Sequence, residues 1–448
     1  MARFLSIFFI FIVLFNFNPD KALSNGLVRD TEIENTLRYF INPLIKKSDL
    51  IEKQISTHLI INPSLNAFVT GGQNIFLYSG LVSATDQPEE LIGVIAHELG
   101  HIASGHLALF QDDIDRAKNI GLLSAAIAVP LAILSGSGGA VAGSLAGSSG
   151  AAQRSFFSHS REKEFAADQF ALSLLNRSGY NMNGFLTFMQ KLSQRERLYG
   201  SGDSYLRTHP LTKEREKAIE SYIELNQKDN PQQPEKETID YLYQRMRAKI
   251  IGYTMPYQQV LRRYGQTSQS ESALYARTFA YFQDENMPKA LAEIDVLLAK
   301  RPDDPFYLET KADILFKMAR FDEALAIYQH ILKTIPWATL IHVSLARTML
   351  QQSKDKDSLE EVVQILRKTV IQDPALISAW KQLAIAYGRL NQPALSHLAQ
   401  AEEALLTNNP KYALALAEKS IQNLPRGSAA WQRARDLIKQ SRQLLSAS

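Results

Sequence analysis

Two histidines and a glutamate lie close together in the stretch GVIAHELGHIASGH, residues 93–106. His97 and His101 are four positions apart, and Glu98 directly follows the first of them. On a helix, residues four apart point within about 40° of each other, so both imidazoles can reach one metal ion. Glu98 then points to the side of that pair, where a carboxylate can accept a proton from metal-bound water without ligating the metal. This spacing predicts zinc-dependent hydrolysis with Glu98 as general base.

A short pattern of this kind can also arise by coincidence on a solvated helix face. Here the residues at positions 94, 95, 96, 99, 100 and 102 are all apolar or glycine, so the polar trio is expected to be buried. Polar groups buried without a partner are costly, and a metal ion would provide that partner. The surroundings therefore favour a metal site over a polar surface patch.

The elements that position the motif can be predicted from hydrophobic spacing. Apolar residues recur every three or four positions over residues 88–110, which predicts a helix that carries the two histidines. Before it, residues 58–82 contain β-branched and aromatic runs that predict two strands and a turn. Residues 66–78 are a candidate edge for holding an extended substrate through backbone hydrogen bonds. An ordinary core hairpin explains any single residue there equally well.

A catalytic zinc site normally has three protein ligands and one open position, so a further ligand must come from elsewhere in the chain. Residues 158–175, SHSREKEFAADQFALSLL, form a second helical pattern with Glu164 and Asp168 four apart on one face. Glu164 could ligate zinc, while Asp168 accepts the free ring N–H of a histidine ligand and so orients the imidazole. Glu162 competes with Glu164 for the ligand position, and spacing alone does not decide between them.

Three separated motifs occur in order along the chain: HELGH at 97–101, EFAAD at 164–168 and THP at 208–210. Together they resemble the motifs of the HtpX-like and CAAX-prenyl-protease-like zinc metallopeptidases. With an apolar leader in front and helical repeats behind, the chain is most similar to the periplasmic BepA-type members of that family. The motifs cover residues 30–220, and the remainder resembles these proteins by architecture.

The resemblance implies one Zn²⁺ per subunit, with His97, His101 and Glu164 as ligands. It also implies that Glu98 is the general base and that Asp168 accepts a hydrogen bond from a histidine ligand without binding the metal itself.

The THP motif adds His209 to the site. In BepA-like relatives this position resembles a loop histidine that can approach the metal and hold the site closed. The alternative is a loop histidine that only bonds a backbone carbonyl.

The first 24 residues differ from the rest of the chain. Arg3 is followed by a nearly continuous apolar run over residues 4–17 and by small residues ending at Ser24. This pattern predicts a secretory signal peptide cleaved near Ser24. The run is shorter than the roughly 20 residues that span a bilayer, which disfavours the alternative of an uncleaved anchor. Because the chain has no cysteine, disulfides and lipidation on an N-terminal cysteine are excluded, and a soluble periplasmic protein fits best.

The C-terminal half shows an internal repeat. After a polar boundary at residues 225–238, Ala290 and Pro302 recur as Ala324 and Pro336, each 34 residues later. This is the length of a tetratricopeptide repeat, in which small residues pack paired helices and prolines follow helix ends. Stacks of such repeats form concave binding surfaces and carry out no chemistry themselves.

Between the two predicted zinc helices, residues 119–153 are apolar and then rich in glycine, serine and alanine. A mobile lid, an interfacial membrane contact and a hairpin that binds apolar unfolded segments are all compatible with this composition. The sequence does not choose among the three.

The expected fold is α+β and mostly α, with a zincin-like metallopeptidase domain that has a small β-sheet, followed by an α-helical tetratricopeptide-repeat solenoid. The expected divisions are a signal peptide at 1–24, the metallopeptidase domain at 25–226, a linker with connecting helices at 227–268, and the repeats at 269–448.

The expected function follows from the resemblance together with the composition. The resemblance implies an endopeptidase whose clients are unfolded or misassembled outer-membrane proteins, with outer-membrane assembly machinery bound through the repeats. A net charge of +3 over 448 residues is too balanced to indicate a nucleic-acid partner. The competing function is a chaperone or adaptor for unfolded envelope proteins in which the zinc site is structural or closed.

Overall fold

A computed structural model describes residues 27–51, 55–70, 73–105, 150–199, 205, 208–226, 235–353 and 355–447. The signal segment expected at 1–24 and positions 119–149 of the insert lie outside the described residues.

A small sheet forms one layer of the N-terminal half. Its strands are β1 (Leu27–Val28), β2 (Ser56–Ile60), β3 (Ala67–Thr70) and β4 (Asn74–Tyr78), in the spatial order β1-β2-β4-β3. β2 and β4 are parallel, whereas β1 and β3 pair antiparallel with their neighbours. The two strands expected over 58–82 are therefore three, because the chain leaves β2, forms the outer strand β3 and returns between the two as β4.

Six described helices accompany the sheet. They are α1 (Thr31–Lys46), α2 (Ser79–Ala84), α3 (Pro88–Ala103), α4 (Gly150–Arg177), α5 (Asn183–Tyr199) and α6 (Lys213–Asn226). The helix predicted over 88–110 is present as α3 but ends at Ala103, where a turn at Ser104 and Gly105 follows, and residues 106–110 lie outside the described residues. It begins at Pro88, after a capping box between Gln87 and Glu90, and every residue from 88 to 102 is buried. The helix predicted over 158–175 lies within α4.

Two glycines let neighbouring backbones approach α3 closely. A Cβ placed on Gly100 would lie 2.8 Å from the carbonyl oxygen of Ala167 on α4. A Cβ placed on Gly93 would lie 2.7 Å from Cβ of Phe185 on α5. Because Ala167 adjoins the acidic pair of α4, the contact at Gly100 brings that pair against the two histidines.

The C-terminal half is helical throughout its described residues. Its helices are α7 (Lys236–Thr254), α8 (Tyr257–Tyr264), α9 (Glu271–Gln283), α10 (Met287–Lys300), α11 (Pro305–Lys317), α12 (Phe321–Thr334), α13 (Thr339–Gln352), α14 (Lys356–Gln372), α15 (Ile377–Arg389), α16 (Pro393–Leu406), α17 (Pro410–Ile421) and α18 (Ala429–Ala447). From α9 onward each helix packs against the next. Ala290 and Ala324 are fully buried between paired helices, while Pro302 and Pro336 follow helix ends. The tetratricopeptide arrangement is confirmed.

Helix α7 joins the two halves of the molecule. Its residues Tyr243 and Met246 belong to the core of the N-terminal half, whereas Ala248 and Ile251 belong to the first core of the repeats. The helix contacts α1, α2 and α3 on one side and α9 on the other. The domain limits expected from the sequence stay a prediction. Among the described helices, none has the length and apolar character needed to cross a bilayer.

We predict that Gly100→Ala destabilises the N-terminal half by about 1–3 kcal/mol, because its new methyl group would overlap backbone atoms of α4 that cannot move away. Gly388→Ala, in helix α15, is the matched control. The nearest atom to its Cβ is Ser396 Oγ at 3.8 Å, and alanine favours a helix over glycine, so this variant should be neutral or slightly more stable. Thermal denaturation measures both. Equal stability of the Gly100→Ala protein and the wild type would contradict the close approach of α3 and α4.

Candidate metal centre

The two histidines of the motif lie on one face of α3 and their Nε2 atoms are 3.2 Å apart. Both side chains are buried. Glu164 approaches from α4, with one carboxylate oxygen 3.3 Å from His97 Nε2 and the other 3.4 Å from His101 Nε2. Glu162 is exposed on the same helix. Of the two glutamates considered from the sequence, the structure therefore brings Glu164 to the histidines.

His209 completes a group of four. Its Nδ1 lies 3.3 Å from His97 Nε2 and 3.2 Å from each carboxylate oxygen of Glu164. One ligand atom from each of His97, His101, Glu164 and His209 lies within 4.8 Å of all the others. The structure thus places His209 beside the three ligands expected from the sequence.

These separations suit a single tetrahedral ion. Ligand atoms at about 2.0–2.1 Å from a tetrahedral zinc are roughly 3.3–3.4 Å apart. His97 lies 3.2–3.3 Å from the other three side chains, Glu164 lies 3.2–3.4 Å from the histidines, and all four ligand atoms are within 4.8 Å of one another. His97 Nδ1 lies 2.9 Å from a carboxylate oxygen of Asp168, so its proton is held on that side and the Nε2 lone pair faces the group. Imidazole nitrogens with one carboxylate oxygen are a donor set that zinc accepts. The residues present fit the metal.

Glu98 lies next to the group without joining it. Its side chain is fully buried, and neither carboxylate oxygen has a hydrogen-bond partner among the described residues. Among the described residues, the nearest basic group to Glu98 is the ring of His209, whose Nε2 lies 3.5 Å from Oε1 of Glu98. A buried carboxylate without hydrogen bonds is unfavourable for stability, so its position here requires a functional explanation.

Arg215, at the start of α6, is a site residue that the sequence analysis missed. Its Nε and Nη2 donate to the two oxygens of Asp168 at 2.7 and 2.8 Å. Its Nη1 donates to the carbonyl of Pro210 at 2.8 Å and lies 3.0 Å from Glu164. One buried guanidinium therefore holds both carboxylates of α4 and the backbone next to His209. The sequence showed only a basic helix start, which is usually solvated.

The charges around α4 shift its two carboxyl groups in the same direction. Burial alone would raise the pKa of Glu164, but the facing His209, His101 and His97 hold that pKa well below its usual value. Burial would also raise the pKa of Asp168, and the hydrogen bonds from Arg215 lower it. Both groups therefore stay ionised at neutral pH.

Aromatic rings pack against two of the histidines. The ring of Tyr205 stacks on that of His209, with centroids 4.6 Å apart and planes inclined by 29°. Phe185 lies 5.9 Å from the ring of His97. Tyr205 is buried, and burial raises the pKa of its hydroxyl well above the usual value, so it remains neutral. The sequence carried no signal for Tyr205.

The residues around this group are similar to those of known proteins. Residues 32–223 match the model of peptidase family M48. Residues 32–223 therefore form a peptidase M48 domain. The buried group of His97, His101, Glu164 and His209 lies within the matched residues.

Relatives extend the similarity beyond the peptidase domain. The chain is 26% identical over 432 residues to the "Beta-barrel assembly-enhancing protease" of Escherichia coli (strain K12), covering 94% of this chain and 85% of that protein. The protein of the same name from Yersinia pestis is 25% identical over 434 residues, covering 94% and 86%. "Metalloprotease LoiP" of Escherichia coli (strain K12) is 32% identical over 157 residues, covering 35% and 57%. The BepA-type resemblance is confirmed.

We predict that Arg215→Met destabilises the metal-free M48 domain by about 3–5 kcal/mol, because it leaves two buried carboxylates without their cation. The exposed pair Arg320–Glu323 offers a control, and Arg320→Met should change stability little. Urea denaturation of each protein measures the effect.

The difference between the wild type and Arg215→Met should depend on pH. The folded-state pKa of Asp168 lies below its ordinary value of 3.8, so the pair contributes fully above that pH and loses its contribution as the pH falls through the folded-state pKa. The two denaturation midpoints should therefore converge in acid. Parallel profiles down to acid unfolding would argue against the ion pair as the source of the difference.

Proposed function

We propose that this metallopeptidase is a zinc-dependent endopeptidase whose site is held closed by His209 until a client protein is bound. The observation that supports this most directly is the buried set of His97, His101 and Glu164 with Glu98 beside it. His209 takes the fourth position around the same point, where a catalytic zinc site keeps room for water.

Each side chain has a separate task in this proposal. Zinc, when bound to His97, His101 and Glu164, supplies a Lewis acid and a water whose pKa is lowered to about 7. Glu98, with both oxygens free of hydrogen bonds in the described part of the chain, accepts the proton and passes it to the leaving amine. Asp168 holds the proton of His97 on Nδ1, so that Nε2 remains a ligand.

The outer strand β3 is a suitable place for the substrate. Among the described strands it pairs only with β4, so its other edge can form hydrogen bonds with an extended peptide. β3 also contacts α3, the helix that carries Glu98. A peptide added along β3 would therefore run beside the metal centre.

The clients are proposed from the relatives and the architecture. The relatives that match nearly all of this chain are named for β-barrel assembly. We infer that the clients here are misassembled or stalled outer-membrane proteins in the periplasm, and that the repeats bind them or their assembly machinery. The signal peptide expected at 1–24 supports export, and contact of the insert with a membrane surface remains one of its three alternatives.

We predict that Glu98→Gln keeps the metal and loses cleavage by a factor of about 10²–10⁴, because the amide preserves the shape but cannot accept a proton. Metal content and cleavage of an unfolded protein such as casein are measured on the same sample. Glu164→Ala is the comparison variant and should lose both metal and cleavage. Loss of zinc from the Glu98→Gln protein would instead make Glu98 a ligand.

The closed geometry also supports the competing function of chaperone or adaptor. Four protein donors around one ion are typical of structural zinc sites, and His209 provides the fourth donor here. The two functions differ in whether His209 can leave the site. Wild-type cleavage of a client that Glu98→Gln cannot cleave would support the peptidase, whereas client binding without cleavage by either protein would support the chaperone.

We predict that His209→Ala raises basal cleavage, including self-cleavage, because removal of the imidazole opens the position that water occupies. Zinc content should fall little, since His97, His101 and Glu164 remain. Cleavage is measured by the appearance of fragments without added client, and the double variant with Glu98→Gln shows whether they arise at this site. Reduced cleavage by a folded His209→Ala protein would assign His209 to substrate binding or transition-state stabilisation.

A further inference from the structure

A second site lies where the repeats meet the M48 domain. A cavity of about 460 Å³ has one wall from β1, β2, α1 and α7 and the other from α9, α11, α13 and α15. The last four are alternate helices of the repeat array, so the cavity lies on one face of the solenoid. Its volume is in the range of ligand-binding pockets, and its lining includes none of the residues of the metal centre.

Glu309 of α11 lines this cavity and is only 9% exposed. One carboxylate oxygen accepts a hydrogen bond from the hydroxyl of Thr31 at 3.3 Å. The other oxygen is buried and has no hydrogen-bond partner among the described residues. A buried carboxylate oxygen in this state is unfavourable for stability unless a ligand provides a donor.

The cations of the cavity are already paired with other carboxylates. The ion pairs are Lys249 with Asp30 and Glu32, Arg347 with Asp313, and Arg29 with Glu34 and Asp373. In the described part of the chain, Glu309 itself has no ion-pair partner within 4 Å. The cavity therefore contains a carboxyl group that has no cation paired with it in the described part of the chain.

The surroundings of Glu309 favour its uncharged form in the empty cavity. Burial raises the pKa of Glu309 well above its usual value, and the neighbouring charges of Asp30 and Asp313 add to the effect against the opposing influence of Lys249. A cation that enters the cavity would favour the ionised carboxylate and would gain a charge-assisted hydrogen bond from it.

The remaining walls suit a polypeptide. Aromatic and aliphatic side chains line the cavity, namely Tyr253, Phe279, Phe282, Leu340 and Val343. Such a surface packs against the aliphatic stem of a lysine or arginine whose charged end reaches further in. Both residues of β1 also line the cavity, and among the described strands β1 pairs only with β2. The free edge of β1 can pair with an extended segment.

We propose that this cavity binds an extended segment of a client polypeptide, and that Glu309 accepts a hydrogen bond from a lysine or arginine side chain of that segment. The inference rests on the proposed function, since it takes the ligand to be a client protein. It adds a basic side chain as a feature by which clients are recognised, at a site separate from the metal centre.

The test uses the full chain carrying Glu98→Gln, which prevents cleavage. Two fluorescein-labelled peptides of alternating valine and threonine are compared, one with a single central lysine and the other with norleucine at that position. The lysine peptide should bind about tenfold to a hundredfold more tightly by fluorescence anisotropy, as expected for one charge-assisted hydrogen bond.

Adding Glu309→Gln should reduce binding of the lysine peptide to that of the norleucine peptide. Glu360→Gln is the control variant, because Glu360 lies on α14 outside the cavity and pairs with Lys356 at the surface. This variant should keep the preference for lysine. If Glu309→Gln fails to fold, the two peptides still decide the question with Glu309 intact.

Equal affinities of the two peptides for the Glu98→Gln protein would overturn the proposal, as would a lysine preference that persists in folded Glu309→Gln. A cleavage assay with the wild type separates a failure of the proposed function from a failure of the cavity proposal. Lysine-dependent binding without cleavage by the wild type would count against the proposed function alone, and normal cleavage without lysine dependence would count against this cavity alone.

Discussion

The burial of two carboxylates on one helix is the constraint on which the M48 domain depends. Glu164 and Asp168 lie against α3 with almost no exposure, and their charges would be prohibitive without compensation. Arg215 of α6, the two histidines of α3 and His209 of the loop before α6 provide it. The need to compensate these two charges therefore holds α3 against α4. It also fixes the start of α6 and the loop before it. A metal ion bound between these side chains would add further positive charge next to the carboxylates.

A second set of buried charges joins the two halves of the molecule. Arg245 of α7 pairs with Glu32 of α1 at 2.5 Å and with Asp304 before α11 at 2.5 Å. Lys249 of the same helix pairs with Asp30 and Glu32. Because a buried charge that loses its partner is strongly unfavourable, the repeats cannot shift relative to the M48 domain without breaking these pairs. The cavity beside Glu309 is consequently a formed site between the two halves.

Local patterns in the sequence determined the elements and most of the metal centre. Helical spacing predicted α3 and α4, because their apolar faces repeat with the period of a helix. The four-residue spacing placed His97 with His101 and Glu164 with Asp168 on common faces, since this follows from helix geometry alone. The 34-residue period predicted the repeats, because it is the length of one tetratricopeptide repeat. The approach of His209 was expected only from the resemblance of its motif, as no local pattern connects a loop residue to a helix far along the chain.

Other features were decided by tertiary structure. Glu164 is preferred over Glu162 because only one side of α4 faces α3, and a rotation of the helix is invisible in the spacing of charged residues. In the sequence, Arg215 is one of several basic residues at a helix start, where side chains are usually solvated. Only the fold places it against Asp168. The order of the strands, the double role of α7 and the cavity beside Glu309 likewise depend on contacts between residues distant in sequence. Periodicity reports which face of an element is buried, whereas the partner of that face is determined by packing of the whole chain.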